Sequence, residues 1–132
     1  MKKISIITPC YNENKEGLTE CCEKISKLFS EELEEYEYEH IICDNNSNEE
    51  TISALREISS KNKNVKIIIN AKNYGSAKSV FNGIRNSSGD AVLLFFPVDM
   101  QDPPEKIPEL VKKWENGFDF VVGCRDQREE FF

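Results

Sequence analysis

Apolar residues along this chain fall into two patterns that alternate from one end to the other. Short continuous apolar runs predict five β-strands, at residues 4–8, 38–43, 65–69, 91–96 and 118–123. The segments between them carry apolar residues at intervals of three and four, which is the spacing of an amphipathic helix. A strand–helix alternation of this kind requires right-handed crossovers and gives a largely parallel sheet with helices on both faces. The chain is therefore predicted to fold as one α/β domain.

Four amphipathic helices are predicted, each from its own apolar face. Their apolar positions are, in chain order, Leu18, Cys21, Cys22, Ile25, Leu28 and Phe29, then Ile52, Leu55 and Ile58, then Ala77, Val80, Phe81 and Ile84, and finally Ile107, Leu110, Val111 and Trp114. The polar residues 44–48 are suited to cap the second helix. Pro108 is expected in the first turn of the fourth helix, because a later position would remove a backbone hydrogen bond. The strand at 91–96 lacks polar residues, which predicts burial of both its faces.

The composition is that of a soluble globular protein, with 39% hydrophobic and 31% charged residues in a chain of 132. The net charge of −7 and the lack of a basic stripe argue against a nucleic-acid binder. Acidic residues concentrate at 31–39 and 129–130, where a solvated helix end and a solvated tail are expected. No apolar run suggests a signal peptide or a membrane span. The ending on Phe131 and Phe132 after a charged run indicates a piece of a larger protein.

The five cysteines occur without a CxxC spacing, at Cys10, Cys21, Cys22, Cys43 and Cys124. Buried, reduced thiols are the expected state, which implies a reducing compartment and a cytoplasmic location. A catalytic cysteine is disfavoured, because the one histidine, His40, lies within a strand pattern. His40 itself is expected to be structural or at the surface.

Four loops leave the carboxyl ends of consecutive predicted strands, and all of them are polar. They comprise residues 8–13, 44–47, 72–76 and 99–102. Ordinary strand-to-helix loops are polar too, so the stronger signal is that all four meet at one edge, where open α/β sheets bind their ligands. Carboxylates at the end of the fourth strand suit a hard divalent cation, which in turn suits a diphosphate. The loops therefore predict a site for an activated, phosphate-bearing substrate.

Taken together, these segments resemble the family 2 glycosyltransferases, which have the nucleotide-sugar-binding GT-A fold. The matching pieces are residues 4–13, 44–51, 72–75, 89–90 and 99–105, in the order the family has them. The last of these is most similar to the branch that transfers sugars to polyprenyl phosphates. The resemblance implies a Rossmann-like α/β fold with a mostly parallel sheet. It identifies residues 1–132 as the N-terminal nucleotide-sugar-binding part of a glycosyltransferase domain.

The resemblance implies a nucleotide-binding role for residues of three loops. They are Pro9, Tyr11, Asn12, Glu13, Asp44, Lys72 and Gly75. Asp44 matches the acid that accepts a hydrogen bond from the uracil imide, so a UDP-linked donor is expected. Alternatives from the residues alone stay open: Asn12 and Glu13 as helix caps, Asp44 as a turn former, and an ordinary loop at Asn73 and Gly75. The N-terminus of the helix that starts near Ser76 offers backbone N–H groups to an anion.

The metal expected by resemblance is Mg²⁺ or Mn²⁺, held by Asp99. This residue aligns with the second acid of the family's Asp-x-Asp motif, whereas Pro97 stands in place of the first. A single carboxylate with diphosphate oxygens and waters can still hold such an ion. Asp102 is alternatively a cap for the helix that follows it.

The implied reaction transfers a sugar, with inversion, from a nucleoside diphosphate to a saccharide or polyprenyl-phosphate acceptor. A hydroxyl acceptor needs a general base, whereas a polyprenyl phosphate is already an oxyanion. The family's base and acceptor-binding elements follow the fifth strand, so no catalytic residue is assigned here and the chain alone is expected to be inactive. The resemblance allows a parent protein at the cytoplasmic face of the membrane. The alternative function is a non-catalytic nucleotide or nucleotide-sugar binding module.

Overall fold

The computed structural model describes residues 1–95 and 103–123, and within them the predicted alternation is confirmed for the first four strands and the four helices. The elements are β1 (Lys3–Cys10), α1 (Lys15–Glu31), β2 (Glu37–Asp44), α2 (Glu49–Lys61), β3 (Val65–Ile69), α3 (Ser76–Arg85), β4 (Ala91–Leu94), a 3₁₀ turn (Pro104–Lys106) and α4 (Ile107–Glu115). The four strands form one parallel sheet in the order β3-β2-β1-β4. The predicted α/β architecture is therefore correct.

Helices cover both faces of this sheet, because β1 and β2 bury alternate residues on opposite sides. Ile4 and Ile6 of β1 pack in one cluster with α1 and α4, and Ile42 of β2 packs with α1 and α2. Ile7 and Ile41 point the other way, against Val80 of α3. We call the first side the three-helix face and the second the α3 face. The carboxyl ends of all four strands meet at one edge, which we call the carboxyl edge.

β1 runs two residues further than predicted and includes Pro9. The carbonyl of Ile7 accepts from the Phe95 N–H on the β4 side, whereas the carbonyl of Cys10 accepts from Asn45 on the β2 side. Alternate residues of a strand direct their main-chain groups to opposite neighbours, so the nitrogen of Pro9 faces the β4 side. The described part of β4 ends at Leu94, opposite Ile7, so no described strand residue lies opposite Pro9.

The prediction that the fourth strand is buried on both faces is wrong. Val92 is 41% exposed and Leu94 is 45% exposed, while Phe95, just past the strand, is buried on the three-helix face. Among the described elements, α3 lies mainly over β1 and β2, which leaves the same side of β4 exposed. Phe96, the last residue of the predicted strand, lies outside the described residues.

The predicted fifth strand at 118–123 is also wrong. These residues are described, and they form no strand there. Phe118, Phe120 and Val122 alternate as in a strand, yet all three side chains are exposed. A strand needs a neighbour for its main-chain groups, and none of the four described strands pairs with this segment.

Glu39 joins the amino ends of the strands. The prediction that the acidic residues 31–39 are solvated is wrong for this residue, which is 1% exposed. Its carboxylate accepts from the Ser5 hydroxyl at 2.8 Å, from the Ser88 N–H at 2.7 Å and from Lys66 Nζ at 2.6 Å. Lys3 Nζ lies 3.3 Å away. Burial alone would raise the pKa of Glu39, but the bonds from Lys66, Ser88 and Ser5 outweigh it and lower the pKa to about 2. One buried carboxylate thus links β1, β2, β3 and the turn before β4.

The buried thiols are confirmed for the four cysteines that the structure describes, Cys10, Cys21, Cys22 and Cys43. Burial raises the pKa of Cys21 and of Cys22 to about 12, so both thiols stay protonated. His40 is fully buried, with Nε2 2.9 Å from Thr8 Oγ1, so it is structural and the surface alternative is wrong. Cys124 lies outside the described residues.

Candidate nucleotide site at the carboxyl edge

The loops after β1 and β2 are locked together by their own side chains. The Asn12 N–H donates to Ser47 Oγ at 2.8 Å, and the Asn48 N–H donates to Asn12 Oδ1 at 2.9 Å. The Thr51 hydroxyl donates to the Glu13 carbonyl at 2.8 Å. Asn12 and Asn46 both adopt the left-handed backbone, with φ of 50° and 63°, which asparagine tolerates better than most residues. Two of the predicted site loops therefore form one unit.

Helix capping does not account for Asn12 or Glu13, so that alternative is wrong. The cap of α1 is Asn14, whose Oδ1 accepts from the Gly17 N–H at 2.7 Å. The predicted capping of the second helix within residues 44–48 is confirmed, since Asn48 accepts from the Thr51 N–H at 3.0 Å. Beside these bonds, the ring of Tyr11 is 49% exposed at the edge of the sheet.

Asp44 lies at the end of β2 and is fully buried. One carboxylate oxygen accepts from the Ser47 N–H at 2.8 Å and the other from the Ser47 hydroxyl at 2.6 Å. Asp44 thus forms the turn, as one alternative had it, and whether it also contacts a nucleotide base stays a prediction. Burial and the neighbouring Asp44 carboxylate together raise the pKa of the Cys10 thiol well above its usual range.

The loop after β3 presents a cation and an aromatic ring beside a helix N-terminus. Lys72 Nζ lies 5.1 Å from the centre of the Tyr74 ring, and both side chains are exposed. Gly75 has a φ of 86°, which favours glycine, and its N–H donates to Asn73 Oδ1. Within the described ranges no side chain caps α3, and its first turn carries no acidic residue. Its N-terminal N–H groups therefore give this loop a positive end.

A buried polar network that the sequence analysis missed lies beneath this loop. It contains Asn45, Asn70 and Ser79, which are 4%, 7% and 0% exposed, and the partly buried Asn82. Asn70 donates to Asn45 Oδ1 at 2.9 Å and to Ser79 Oγ at 3.0 Å. The available signal was Ser79 and Asn82 on the inner side of an amphipathic helix, where apolar residues are the rule.

The predicted metal ligand lies outside the described residues, as do Pro97 and Asp102. In residues 1–95 and 103–123, no three histidine, cysteine, aspartate or glutamate side chains are grouped as a metal site would need. The described part of the chain therefore provides no metal site by itself. None of its helices has the length and hydropathy of a membrane span.

Comparisons with known proteins place the chain in a family. Residues 5–131 match glycosyl transferase family 2, and the chain belongs to that family. It is 37% identical over 123 residues to a dolichol-phosphate mannosyltransferase of Pyrococcus furiosus. The aligned region covers 93% of this chain and 33% of the relative. The fold resembles the mannosyltransferase PcManGT of Pyrobaculum calidifontis, solved in complex with GDP-Man and Mn²⁺. That structure matches with a TM-score of 0.69 at 18% identity, over 84% of this chain and 32% of the other.

These findings confirm the glycosyltransferase family and the Rossmann-like GT-A fold that the sequence predicted. They also set the extent of the match, because the chain spans about a third of the length of the curated relative. The expected UDP is not supported by these matches, since the structural neighbour was solved with GDP-Man.

Proposed function

We propose that this chain is the donor-binding part of a glycosyltransferase that moves mannose from GDP-mannose to a polyprenyl phosphate. The observation that carries the proposal is the convergence of three polar loops at the carboxyl edge of a parallel sheet, in a chain 37% identical to a dolichol-phosphate mannosyltransferase. Such an edge is where open α/β sheets bind nucleotides. Residues 1–132 form the N-terminal nucleotide-sugar-binding part within this proposal.

The diphosphate is assigned to the loop after β3 and the start of α3. Exposed Lys72 precedes the helix and exposed Lys78 lies in its first turn, so both charges add to the uncapped N–H groups. Gly75, with its positive φ, leaves open space where a side chain would otherwise stand. These features together favour an anion with several oxygens.

The base and ribose are assigned to the locked loops after β1 and β2. The exposed ring of Tyr11 offers a stacking surface, and Pro9 and Glu13 lie two residues before and after it in the chain. Asp44 is fully buried against Ser47, so in this proposal it holds the loop beneath the base. Guanine is proposed from the GDP-Man of the structural neighbour, and uracil selected by Asp44 is the alternative.

The divalent cation is assigned to Asp99, with Mn²⁺ or Mg²⁺ as the ion. Its support is the Mn²⁺ of the structural neighbour and the place of Asp99 in the family's motif. A bound cation would stabilise the charge that develops on the departing nucleoside diphosphate.

The acceptor and the stereochemistry are proposed from the relationship to the mannosyltransferases. A polyprenyl phosphate carries its own nucleophilic oxyanion, so transfer to it with inversion requires no base from these residues. The remaining two thirds of the relative's length would supply the acceptor site. The 132 residues alone are then expected to bind the donor without turnover.

The test is a calorimetric titration of GDP and, in parallel, of UDP, each with and without Mn²⁺. The Lys72→Ala variant is expected to bind GDP about tenfold more weakly, as for the loss of one charge-assisted hydrogen bond. The matched control is Lys63→Ala, because exposed Lys63 precedes β3 at the opposite edge of the sheet and should leave affinity unchanged. An Asp99→Ala variant should lose the Mn²⁺ dependence.

Absence of nucleotide binding under every condition would contradict the proposed function. Tighter binding of UDP would overturn only the guanine assignment. The rival function, a non-catalytic nucleotide-binding module, is favoured by Pro97 in place of the first motif acid. Binding of GDP without any effect of Mn²⁺ would support that rival.

A further inference from the structure

A chain of buried hydrogen bonds joins three segments at the carboxyl edge through Asn70. This residue directly follows β3, and its N–H donates to the Asp44 carbonyl at 2.8 Å. Its side-chain amide reaches Asn45 at 2.9 Å and Ser79 at 3.0 Å, and its Oδ1 accepts from Asn82 Nδ2 at 3.2 Å. Asn70 therefore contacts the loop after β2 and two turns of α3 at once.

The orientation of this amide follows from its partners. Ser79 Oγ donates to the Cys43 carbonyl at 3.2 Å, so toward Asn70 it serves as an acceptor. Asn45 Oδ1 accepts both from Asn70 and from the Tyr74 N–H, the latter at 3.4 Å. Both N–H groups and the oxygen of Asn70 are thus engaged, and no other side chain of similar size supplies two donors and an acceptor in this arrangement.

The segments that the network joins are the ones that carry the proposed donor contacts. Asn45 is adjacent to Asp44, Tyr74 lies between Lys72 and Gly75, and Ser79 is in the first turns of α3. Burying amides and hydroxyls costs free energy unless each is hydrogen-bonded, whereas apolar side chains would pack the same helix onto the sheet without that cost. The use of buried polar side chains here is explained if they serve to fix the distance between the loops.

We infer that Asn70 is a positioning residue, which holds the loop of residues 71–75 and the start of α3 at a set distance from the Asp44 loop. What these loops bind rests on the proposed function, but the positioning itself rests on the contacts of Asn70. Loss of the network should loosen residues 71–75 and weaken nucleotide binding, with a smaller effect on the core.

The test compares Asn70→Asp and Ser79→Ala with Ser5→Ala. Asn70→Asp keeps the size of the side chain but replaces the amide nitrogen with an oxygen, which cannot donate to Asn45 and Ser79 as the nitrogen does. Ser5 is the matched control, because it is 0% exposed like Ser79 and belongs to the polar cluster at the amino edge of the sheet. For each variant we would measure unfolding in urea, amide hydrogen exchange of residues 71–75 and affinity for GDP with Mn²⁺.

All three variants are expected to unfold at lower urea concentration. Only Asn70→Asp and Ser79→Ala should speed exchange at Tyr74 and Gly75, and only they should lower GDP affinity, by about tenfold. If Asn70→Asp and Ser79→Ala show the same exchange rates and GDP affinity as Ser5→Ala, the inference is overturned and Asn70 is only a structural residue. If the wild-type chain binds no nucleotide, the proposed function fails, while the exchange rates still decide whether Asn70 positions the loop.

Discussion

Replacing Glu39 with glutamine should cost stability in a way that depends on pH. The carboxylate is 1% exposed and is held by two lysines, two serine hydroxyls and a backbone N–H. These bonds lower its pKa from 4.5 to about 2 against the opposing effect of burial. At about 1.4 kcal/mol per pKa unit, the charged form contributes about 3 kcal/mol to the free energy of unfolding. This agrees with the roughly 3–5 kcal/mol lost when one partner of a buried ion pair is removed.

The direction of the pH dependence follows from the lowered pKa. An acid that is stronger in the folded state stabilises the fold above its unfolded pKa of about 4.5, and the stabilisation is lost as the pH falls towards 2. Glu39→Gln should therefore be less stable than wild type by about 3 kcal/mol at neutral pH, and by only about 1 kcal/mol at pH 3. The measurement is urea unfolding followed by circular dichroism at both pH values.

The matched control is Glu57→Gln, which removes an acid paired with Lys15 and Lys61 on the surface. Exposed ion pairs contribute little, so this variant should stay close to wild type at both pH values. A Glu39→Gln variant as stable as wild type at neutral pH would contradict this role of the Glu39 carboxylate. An equal loss of stability at both pH values would contradict it too.

Two further changes test how the core is built. Gly83→Ala should destabilise the fold by about 1–3 kcal/mol in urea unfolding, although alanine favours helices. The reason is that the new methyl group would meet Cys43 Sγ and lie 2.8 Å from Ile7 Cγ2. Equal stability would show that α3 can move off the sheet. Burial lowers the pKa of His40 from 6.5 to about 4, so folding favours the neutral ring and stability falls as the pH drops below 6.5. Relative to a His40→Gln variant, wild type should lose about 2 kcal/mol more between neutral pH and pH 5, and parallel pH profiles would refute this.

The sequence was sufficient for the elements whose partners are all present in the described chain. β3 coincides with the predicted run at 65–69, and the apolar spacing located all four helices. The sequence was not sufficient where burial or strand pairing depends on a neighbouring element. The apolar run at 91–96 does not reveal that α3 packs mainly on β1 and β2 and leaves Val92 and Leu94 exposed, and the alternation at 118–123 does not reveal whether another strand pairs with it.

The candidate site shows the same division. The ends of the strands identified the loops around Tyr11, Asp44 and Lys72, because parallel topology alone brings them to one edge. The sequence alone could not show that Asn12 accepts a hydrogen bond from the Asn48 N–H or that Asp44 turns inward to Ser47, because these contacts depend on how the loops pack. The contacts of Asn70 escaped for the same reason, since an asparagine after a strand is also an ordinary loop residue.

The central claim is that a nucleoside diphosphate sugar binds at the carboxyl edge of this sheet. The most direct test is amide hydrogen exchange of the chain with and without GDP-mannose and Mn²⁺. Slower exchange is expected in residues 9–14, 44–48 and 72–78, with no change at the amino edge in residues 86–90. Protection at the amino edge, or protection nowhere while calorimetry registers binding, would contradict the account.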